Sequence, residues 1–181
     1  MSLQLLQQKL PEVRAWIDRT LAAHAAHARG VANLGFPRLG SYYSPTLLAS
    51  AKAIPVAQVP APPLASMGLA GFDKFENLNA AGITYLNSFF VRLGFERNES
   101  LHFHELVHVV QWQHLGPDKF IMAYALGHLL NGGYRTNPFE VMAYDLEARF
   151  DQHAPAFDVA SIVRPELDRL VPALLASASN L

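Results

Sequence analysis

The chain has 181 residues, of which 51% are hydrophobic and 16% are charged. This length and composition predict a single globular domain over residues 1–181 with a sizeable hydrophobic core. The formal net charge of −1 argues against nucleic acid and anionic membrane surfaces as partners. The longest uncharged apolar stretch, residues 120–130, is too short to span a bilayer.

The compartment is predicted from the N-terminus and from cysteine content. The first residues show no basic segment followed by an apolar one, so a cytoplasmic location is the expectation. An export signal that had already been removed would leave no trace in this sequence. The chain contains no cysteine, which excludes disulfides and fits either compartment.

The first half of the chain predicts helix followed by strand. Apolar residues at helical spacing predict a first helix over residues 3–29. A short helix over 45–52 leads into a strand over 53–59, in which Pro55 argues for an edge position. β-branched and aromatic residues predict a single strand over 83–92.

The second half predicts helices. Pro117 begins a helix that continues to Leu130 and is apolar on most sides, so it is expected to be buried. A final helical segment is predicted over 158–178, with Pro165 near its start and Pro172 at a kink. Together with the strands predicted in the first half, these helices predict an α+β domain.

The most informative motif is His-Glu-Leu-Val-His at residues 104–108, inside a predicted helix. Side chains four residues apart lie on one helix face, with Cβ atoms about 5–6 Å apart. His104 and His108 can therefore both reach one Zn²⁺ at about 2.0–2.1 Å. Glu105 points to the side, where it can act as general base. The alternative is two histidines that only form hydrogen bonds on a partly buried helix.

A catalytic zinc needs a third protein ligand, which must be His, Asp or Glu because cysteine is absent. The best candidate lies on a helix predicted to begin after Asn137, its N-cap. At about 100° per residue, Glu140, Tyr144 and Glu147 lie along one face of this helix. Two carboxylates and a phenol are an unusual set of side chains to bury unless they meet a cation. Glu140 also fits a capping box started by Asn137, and both roles stay open.

The runs H-E-L-V-H-V-V-Q-W and N-P-F-E-V-M-A-Y resemble zinc metallopeptidases of the gluzincin type, which include thermolysin and compact bacterial minigluzincins. The resemblance covers roughly residues 82–150. It implies one Zn²⁺ per chain bound by His104, His108 and Glu140, with Glu105 as base. It implies a zincin-like fold, in which a small antiparallel or mixed sheet packs on an active-site helix and a glutamate helix. It also implies an antiparallel edge strand that can hold an extended peptide.

One position departs from the thermolysin-like pattern. Those enzymes have an aspartate four residues after the glutamate ligand, where it orients a zinc histidine; here the residue is Tyr144. Glu147 and Asp145 are the candidates for that task. Tyr134 lies six residues before Glu140 in a glycine-rich turn and is a candidate for stabilising an oxyanion. The alternative for Tyr134 is an ordinary loop tyrosine.

The expected function is zinc-dependent hydrolysis of a peptide bond in a peptide or protein substrate. One alternative is hydrolysis of a non-peptide amide on the same zinc site. A second is a non-catalytic, zinc-stabilised module that binds peptides or partners. Glu105 argues against the second alternative, because a structural site has no use for a base and usually has a fourth protein ligand.

Overall fold

A mixed four-stranded sheet and six α-helices make up the part of the chain that the computed structural model describes, residues 3–69, 71, 72, 76 and 79–178. The helices are α1 (Leu3–His24), α2 (Pro45–Ser50), α3 (Glu99–Leu115), α4 (Pro117–Leu130), α5 (Pro138–Asp151) and α6 (Val159–Ala178). The strands are β1 (Arg29–Gly30), β2 (Lys52–Val56), β3 (Gly82–Tyr85) and β4 (Ser88–Arg92). This architecture confirms the predicted α+β class.

The sheet has the strand order β1-β2-β4-β3. β2 runs parallel to β4, while β1 and β3 are antiparallel to their neighbours. The predicted edge position of the strand that carries Pro55 is wrong for the strand as a whole, because β2 lies between β1 and β4. The edge position is correct at Pro55 itself, because β1 pairs only with Lys52 and Ala53. At Pro55 the described strand pairs with β4 alone.

The single strand predicted over 83–92 is wrong: the segment is a β-hairpin. β3 and β4 pair antiparallel, with Tyr85 opposite Ser88, around a turn at Leu86 and Asn87. Leu86 has a φ of 60°, which is uncommon for a bulky residue. The turn lacks the Asn-Gly or Asp-Gly pair that usually marks a two-residue hairpin turn. With β-branched and aromatic residues on both sides, the segment therefore predicts one continuous strand. As a result, β3 is an edge strand packed against α3.

The helices mostly begin and end where the sequence predicts. α4 spans the predicted range, and α5 begins at the predicted Pro138. The first helix ends at His24, before the predicted residue 29, and a short 3₁₀ turn follows. α6 contains both Pro165 and Pro172. No described helix is both long enough and apolar enough to cross a membrane.

α3 is the central element of the core. Every residue from 102 to 112 is buried, because α3 contacts α4, α5, α6 and β3. Its apolar residues are spread around the whole circumference, as expected of a helix enclosed on all sides. The polar side chains on α3 are therefore held away from bulk water and need polar partners or a cation.

Candidate metal centre

Three buried side chains converge between α3 and α5. His104 and His108 come from α3 and Glu140 from α5, and they are 4%, 6% and 3% exposed. The Nε2 atoms of the two histidines are 3.1 Å apart. Oε2 of Glu140 lies 3.5 Å from His104 Nε2, and Oε1 lies 3.3 Å from His108 Nε2. One ligand atom from each residue fits within 4.8 Å, so the group could hold a metal ion.

The start of α5 is fixed by a close contact with α4. Asn137 caps α5 by accepting a hydrogen bond from the Phe139 amide, 3.2 Å, and its Nδ2 donates to the Tyr124 carbonyl, 3.1 Å. A Cβ on Gly127 would lie 2.5 Å from Oδ1 of Asn137, so only glycine leaves room for the cap. This contact sets where Glu140, one turn further on, meets α3.

The capping-box role that the sequence left open for Glu140 is absent from the described structure. The Asn137 amide donates to the carbonyl of Tyr134, 3.1 Å, and not to Glu140. Oε1 of Glu140 accepts a hydrogen bond from the Tyr124 hydroxyl, 2.7 Å. Oε2 is buried without a hydrogen-bond partner among the described residues. A buried carboxylate oxygen of this kind is costly unless it meets a cation.

Hydrogen bonds fix the tautomers of both histidines. Nδ1 of His104 donates to Glu147, 3.0 Å, and Nδ1 of His108 donates to Oε1 of Gln111, 2.8 Å. Gln111 Nε2 donates in turn to the Phe139 carbonyl, 3.1 Å, which orients the amide. Both Nε2 atoms therefore face the space beside Glu140, the arrangement that a metal-binding histidine adopts.

The charges around this space also favour a cation. Burial alone would lower the pKa of His104, but the carboxylates of Glu140 and Glu147 raise it well above its usual range. Burial would likewise raise the pKa of Glu140, but the facing imidazoles of His108 and His104 hold it well below its usual range. The carboxylates thus favour positive charge in this gap, which a proton on the imidazoles supplies without metal and a bound cation would supply in its place. Two imidazoles and one carboxylate are a donor set found at catalytic zinc sites.

Tyr144 and Glu147 on α5 both contact His104. The Tyr144 ring packs against the His104 ring, with centroids 4.6 Å apart. Glu147, two turns after Glu140, takes the hydrogen bond from His104. Of the two candidates that the sequence offered, Glu147 therefore has this contact, while Asp145 is exposed. Ser100 lies 3.0 Å from the other Glu147 oxygen and supports it from outside.

Glu105 lies beside the histidines and outside the three-residue cluster. Its Oε2 accepts a hydrogen bond of 2.6 Å from the Thr84 hydroxyl on β3. Trp112 Nε1 donates to the Thr84 carbonyl, 3.1 Å, and so anchors this part of the strand to α3. Burial raises the pKa of Glu105 above its usual value. A carboxylate whose pKa is raised is well suited to accept a proton and later release it.

Tyr134 lines the same cavity as Glu105, His108 and Glu140. Burial, the charge of Glu140 and a hydrogen bond with Tyr144 raise its pKa well above 10. The phenol therefore stays protonated and can donate a hydrogen bond. The structure brings the predicted metal ligands, the predicted base and the predicted oxyanion donor (residues 104, 105, 108, 134 and 140) to one place.

Sequence reasoning missed several contributors. For Thr84 and Gly82 the sequence predicts only a strand and its start, with no role at the site. Tyr124 lies in a helix whose sequence predicts apolar packing alone. Gln111 carried a signal, because it lies on the same helix face as both histidines. The neighbouring histidines His102 and His128 lie outside the cluster: His102 packs against Phe36 and Phe89, and His128 stacks on Phe72.

Comparisons with family models, curated proteins and solved structures found no family that the chain matches and no significantly similar protein or structure. Any functional conclusion therefore depends on the motif and on the geometry of this site.

Proposed function

We propose that this chain is a zinc-dependent metallohydrolase with a zincin-like fold, of the gluzincin type, and that it cleaves peptide bonds. The observation that carries the proposal is the placement of Glu105. It is buried next to a three-donor cluster, yet it is bound by Thr84 and contributes no atom to that cluster. A purely structural zinc site usually closes with a fourth protein ligand and has no use for a base beside it.

His104, His108 and Glu140 would hold the Zn²⁺, and Glu147, Gln111 and Tyr124 would orient these three ligands through the hydrogen bonds described above. When bound, zinc lowers the pKa of a coordinated water and polarises the carbonyl of the substrate. The described residues supply no fourth ligand to this cluster, which leaves a position for water and substrate.

Glu105 would take a proton from the attacking water and pass it to the leaving nitrogen. Its position favours this role, because the carboxylate is buried, has a raised pKa and is held by a single short hydrogen bond from Thr84. Tyr134 would donate a hydrogen bond to the oxygen that becomes negative during attack. Its protonated state and its place on the cavity wall support that assignment.

The edge strand β3 favours a peptide as substrate. Among the described strands β3 pairs with β4 alone, so no described strand covers its outer edge. The Thr84 carbonyl already accepts a hydrogen bond from Trp112, so pairing with another extended chain would fall to the part of the edge around Gly82. Because Thr84 on β3 binds Glu105 directly, a peptide added along this edge would run past the base. This feature favours a peptide over a non-peptide amide, which would gain nothing from a strand edge.

Mass-spectrometric profiling of a diverse peptide library tests the proposal. We expect cleavage by the zinc-loaded protein and none by the metal-free protein or by zinc-treated His104→Ala. A library left intact by the zinc-loaded protein, together with cleavage of small N-acyl amides, would favour the non-peptide alternative. Peptide binding without any cleavage would favour the non-catalytic module.

A further inference from the structure

Arg135 lies next to the candidate metal centre and has no part in the hydrolysis proposed above. It directly follows Tyr134, which lines the cavity at that centre. The guanidinium carbon of Arg135 lies 5.2 Å from the centroid of the Tyr144 ring. That ring packs in turn against the ring of His104, with centroids 4.6 Å apart. A single aromatic ring therefore separates a permanent positive charge from a candidate zinc ligand.

The backbone on both sides of Arg135 is held in place. Before it, the Gly133 amide donates a hydrogen bond of 2.9 Å to the carbonyl of His128. After it, the Asn137 amide donates a hydrogen bond of 3.1 Å to the carbonyl of Tyr134. Gly133 has a φ of 129°, which glycine adopts readily, so the chain can turn here from α4 into α5. The arginine is thus carried by an ordered turn beside the site.

The guanidinium of Arg135 is exposed and has no acidic partner. No ion pair joins it to any carboxylate that the structure describes. Arg14 and Arg169, by contrast, pair with carboxylates. Contact with an aromatic ring uses the face of a guanidinium and leaves its N–H edge free to donate. Two parallel N–H groups on that edge match the two oxygens of a carboxylate.

The other side of the metal centre is unsuited to an acidic group. The described residues that line the cavity there include Glu105 and Glu140 but no lysine or arginine. A carboxylate in that space would lose its hydration and face two like charges. Arg135 and Tyr144 do not line the cavity, so a group bound by Arg135 lies outside it. An acidic group of a substrate therefore has one favourable place near the centre.

We propose that Arg135 is a specificity residue that binds a carboxylate of the substrate near the bond that is cut, with Tyr144 supporting its guanidinium. The proposal rests on the hydrolytic function proposed above and names its substrate class, peptides with an acidic group close to the cleavage site. That group is the C-terminal carboxylate or the side chain of an aspartate or glutamate. Both present the same pair of oxygens to the guanidinium.

Small zinc-binding probes test the proposal without requiring turnover. The monohydroxamic acids of succinic, glutaric and adipic acid bind metal at one end and carry a carboxylate at the other, at three different distances. Their primary amides replace the carboxylate by a neutral group of similar shape. In calorimetric titrations of the zinc-loaded protein, at least one acid should have a Kd about tenfold lower than its amide, as expected of a charge-assisted hydrogen bond. Acids that bind no better than their amides at all three lengths would overturn the proposal.

Two arginine variants locate the effect. Arg135→Gln should abolish the advantage of the acids and leave the Kd of each amide unchanged, because Arg135 contributes no atom to the metal cluster. Arg149→Gln is the matched control and should behave like the parent. Arg149 is also exposed and also lies over an aromatic ring, 3.9 Å from the centroid of Phe157, so both variants change the net charge equally. An advantage that persists in Arg135→Gln, or that is lost equally in both variants, would contradict the assigned site.

Peptide substrates distinguish the two sources of the carboxylate. If it is the C-terminal one, cleavage should fall near the C-terminus and be lost on amidation. If it is a side chain, aspartate and glutamate should be enriched at a fixed distance from the cut bond, whether or not the peptide is amidated.

Failure of the carboxylate site and failure of the hydrolytic function are distinguishable. Acid-selective binding of the probes without any cleavage would keep the carboxylate site and reject the hydrolase. Cleavage that depends on neither kind of carboxylate would do the opposite. A protein that bound no zinc would overturn both proposals.

Discussion

Gly82 on β3 and Glu105 on α3 are in direct contact. A Cβ built on Gly82 would lie 2.4 Å from Oε1 and 2.8 Å from Cδ of Glu105, closer than real Cβ atoms come to any atom. The candidate base can therefore hold its hydrogen bond to Thr84 only while residue 82 has no side chain. The placement of Glu105 thus depends on the backbone of the edge strand as well as on its own helix.

The first prediction follows from this contact. Gly82→Ala should displace the Glu105 carboxylate and lower hydrolysis by roughly up to 10²-fold, the cost of a small misplacement of a catalytic group. Zinc content, measured by elemental analysis, should stay near one equivalent because Glu105 is not a ligand. Gly40→Ala is the matched control, since a Cβ there meets nothing within 4 Å. Equal losses in both variants would indicate a general effect on folding.

The second prediction concerns the base itself. Glu105→Gln keeps the size and shape of the side chain and can still accept the hydrogen bond from Thr84. It should retain zinc and fold while hydrolysis falls by about 10²–10⁴-fold, the usual contribution of positioned proton transfer. Steady-state rates of the zinc-loaded variant and parent provide the measurement. Undiminished turnover would mean that another residue acts as the base.

The cluster of His104, His108 and Glu140 and most helices could be predicted from the sequence because their signals are local. The spacing of His104 and His108 sets their shared helix face, and Asn137 followed by Pro138 marks the start of α5. The pairing of Glu147 with His104 was only one of two candidates, because it depends on how α5 rotates against α3. Such rotation is set by packing between distant segments.

The hairpin and the Gly82 contact could not be predicted for a related reason. Leu86 adopts a positive φ that its side chain disfavours, so tertiary packing overrides the local preference. Tyr124 lies in a helix that the sequence predicts to be apolar on most sides, and only the approach of α5 at Gly127 brings its hydroxyl to Glu140. Contacts between elements therefore determine the surroundings of the site, whereas the motif determines its centre.

The third prediction concerns the histidine ligands. The purified parent should carry about one equivalent of zinc, and His104→Ala and His108→Ala should each lose it, because two imidazoles supply half of a four-coordinate shell. Elemental analysis after dialysis gives the stoichiometry. Stoichiometric zinc in the double variant would exclude this site as the metal centre.

The fourth prediction assigns Glu140 as a ligand. Glu140→Gln preserves the acceptor for the Tyr124 hydroxyl but replaces a carboxylate by a neutral amide, a poor ligand for Zn²⁺. Zinc affinity, measured by competition with a chromophoric chelator, should fall by more than the roughly 10–100-fold typical of an outer-shell change. A variant that binds zinc as tightly as the parent would remove Glu140 from the ligand set.

The fifth prediction concerns the residue that orients His104. Glu147→Ala removes the acceptor of the Nδ1 hydrogen bond, so zinc affinity should fall by about 10–100-fold. Asp145→Ala on the same helix is the matched control, because Asp145 is exposed. The same competition assay ranks the variants, and the expected order of loss is Glu140→Gln, then Glu147→Ala, then Asp145→Ala. Equal zinc affinity in Glu147→Ala and Asp145→Ala would show that Glu147 does not orient His104.

The central claim is an open zinc centre with three protein ligands, and anomalous diffraction at the zinc edge from crystals of the zinc-loaded protein tests it most directly. We predict one peak bound by Nε2 of His104, Nε2 of His108 and the Glu140 carboxylate, with solvent in the remaining position and Glu105 outside bonding distance. A fourth protein side chain on the ion would indicate a closed structural site and contradict the account. So would a zinc peak elsewhere with this cluster empty.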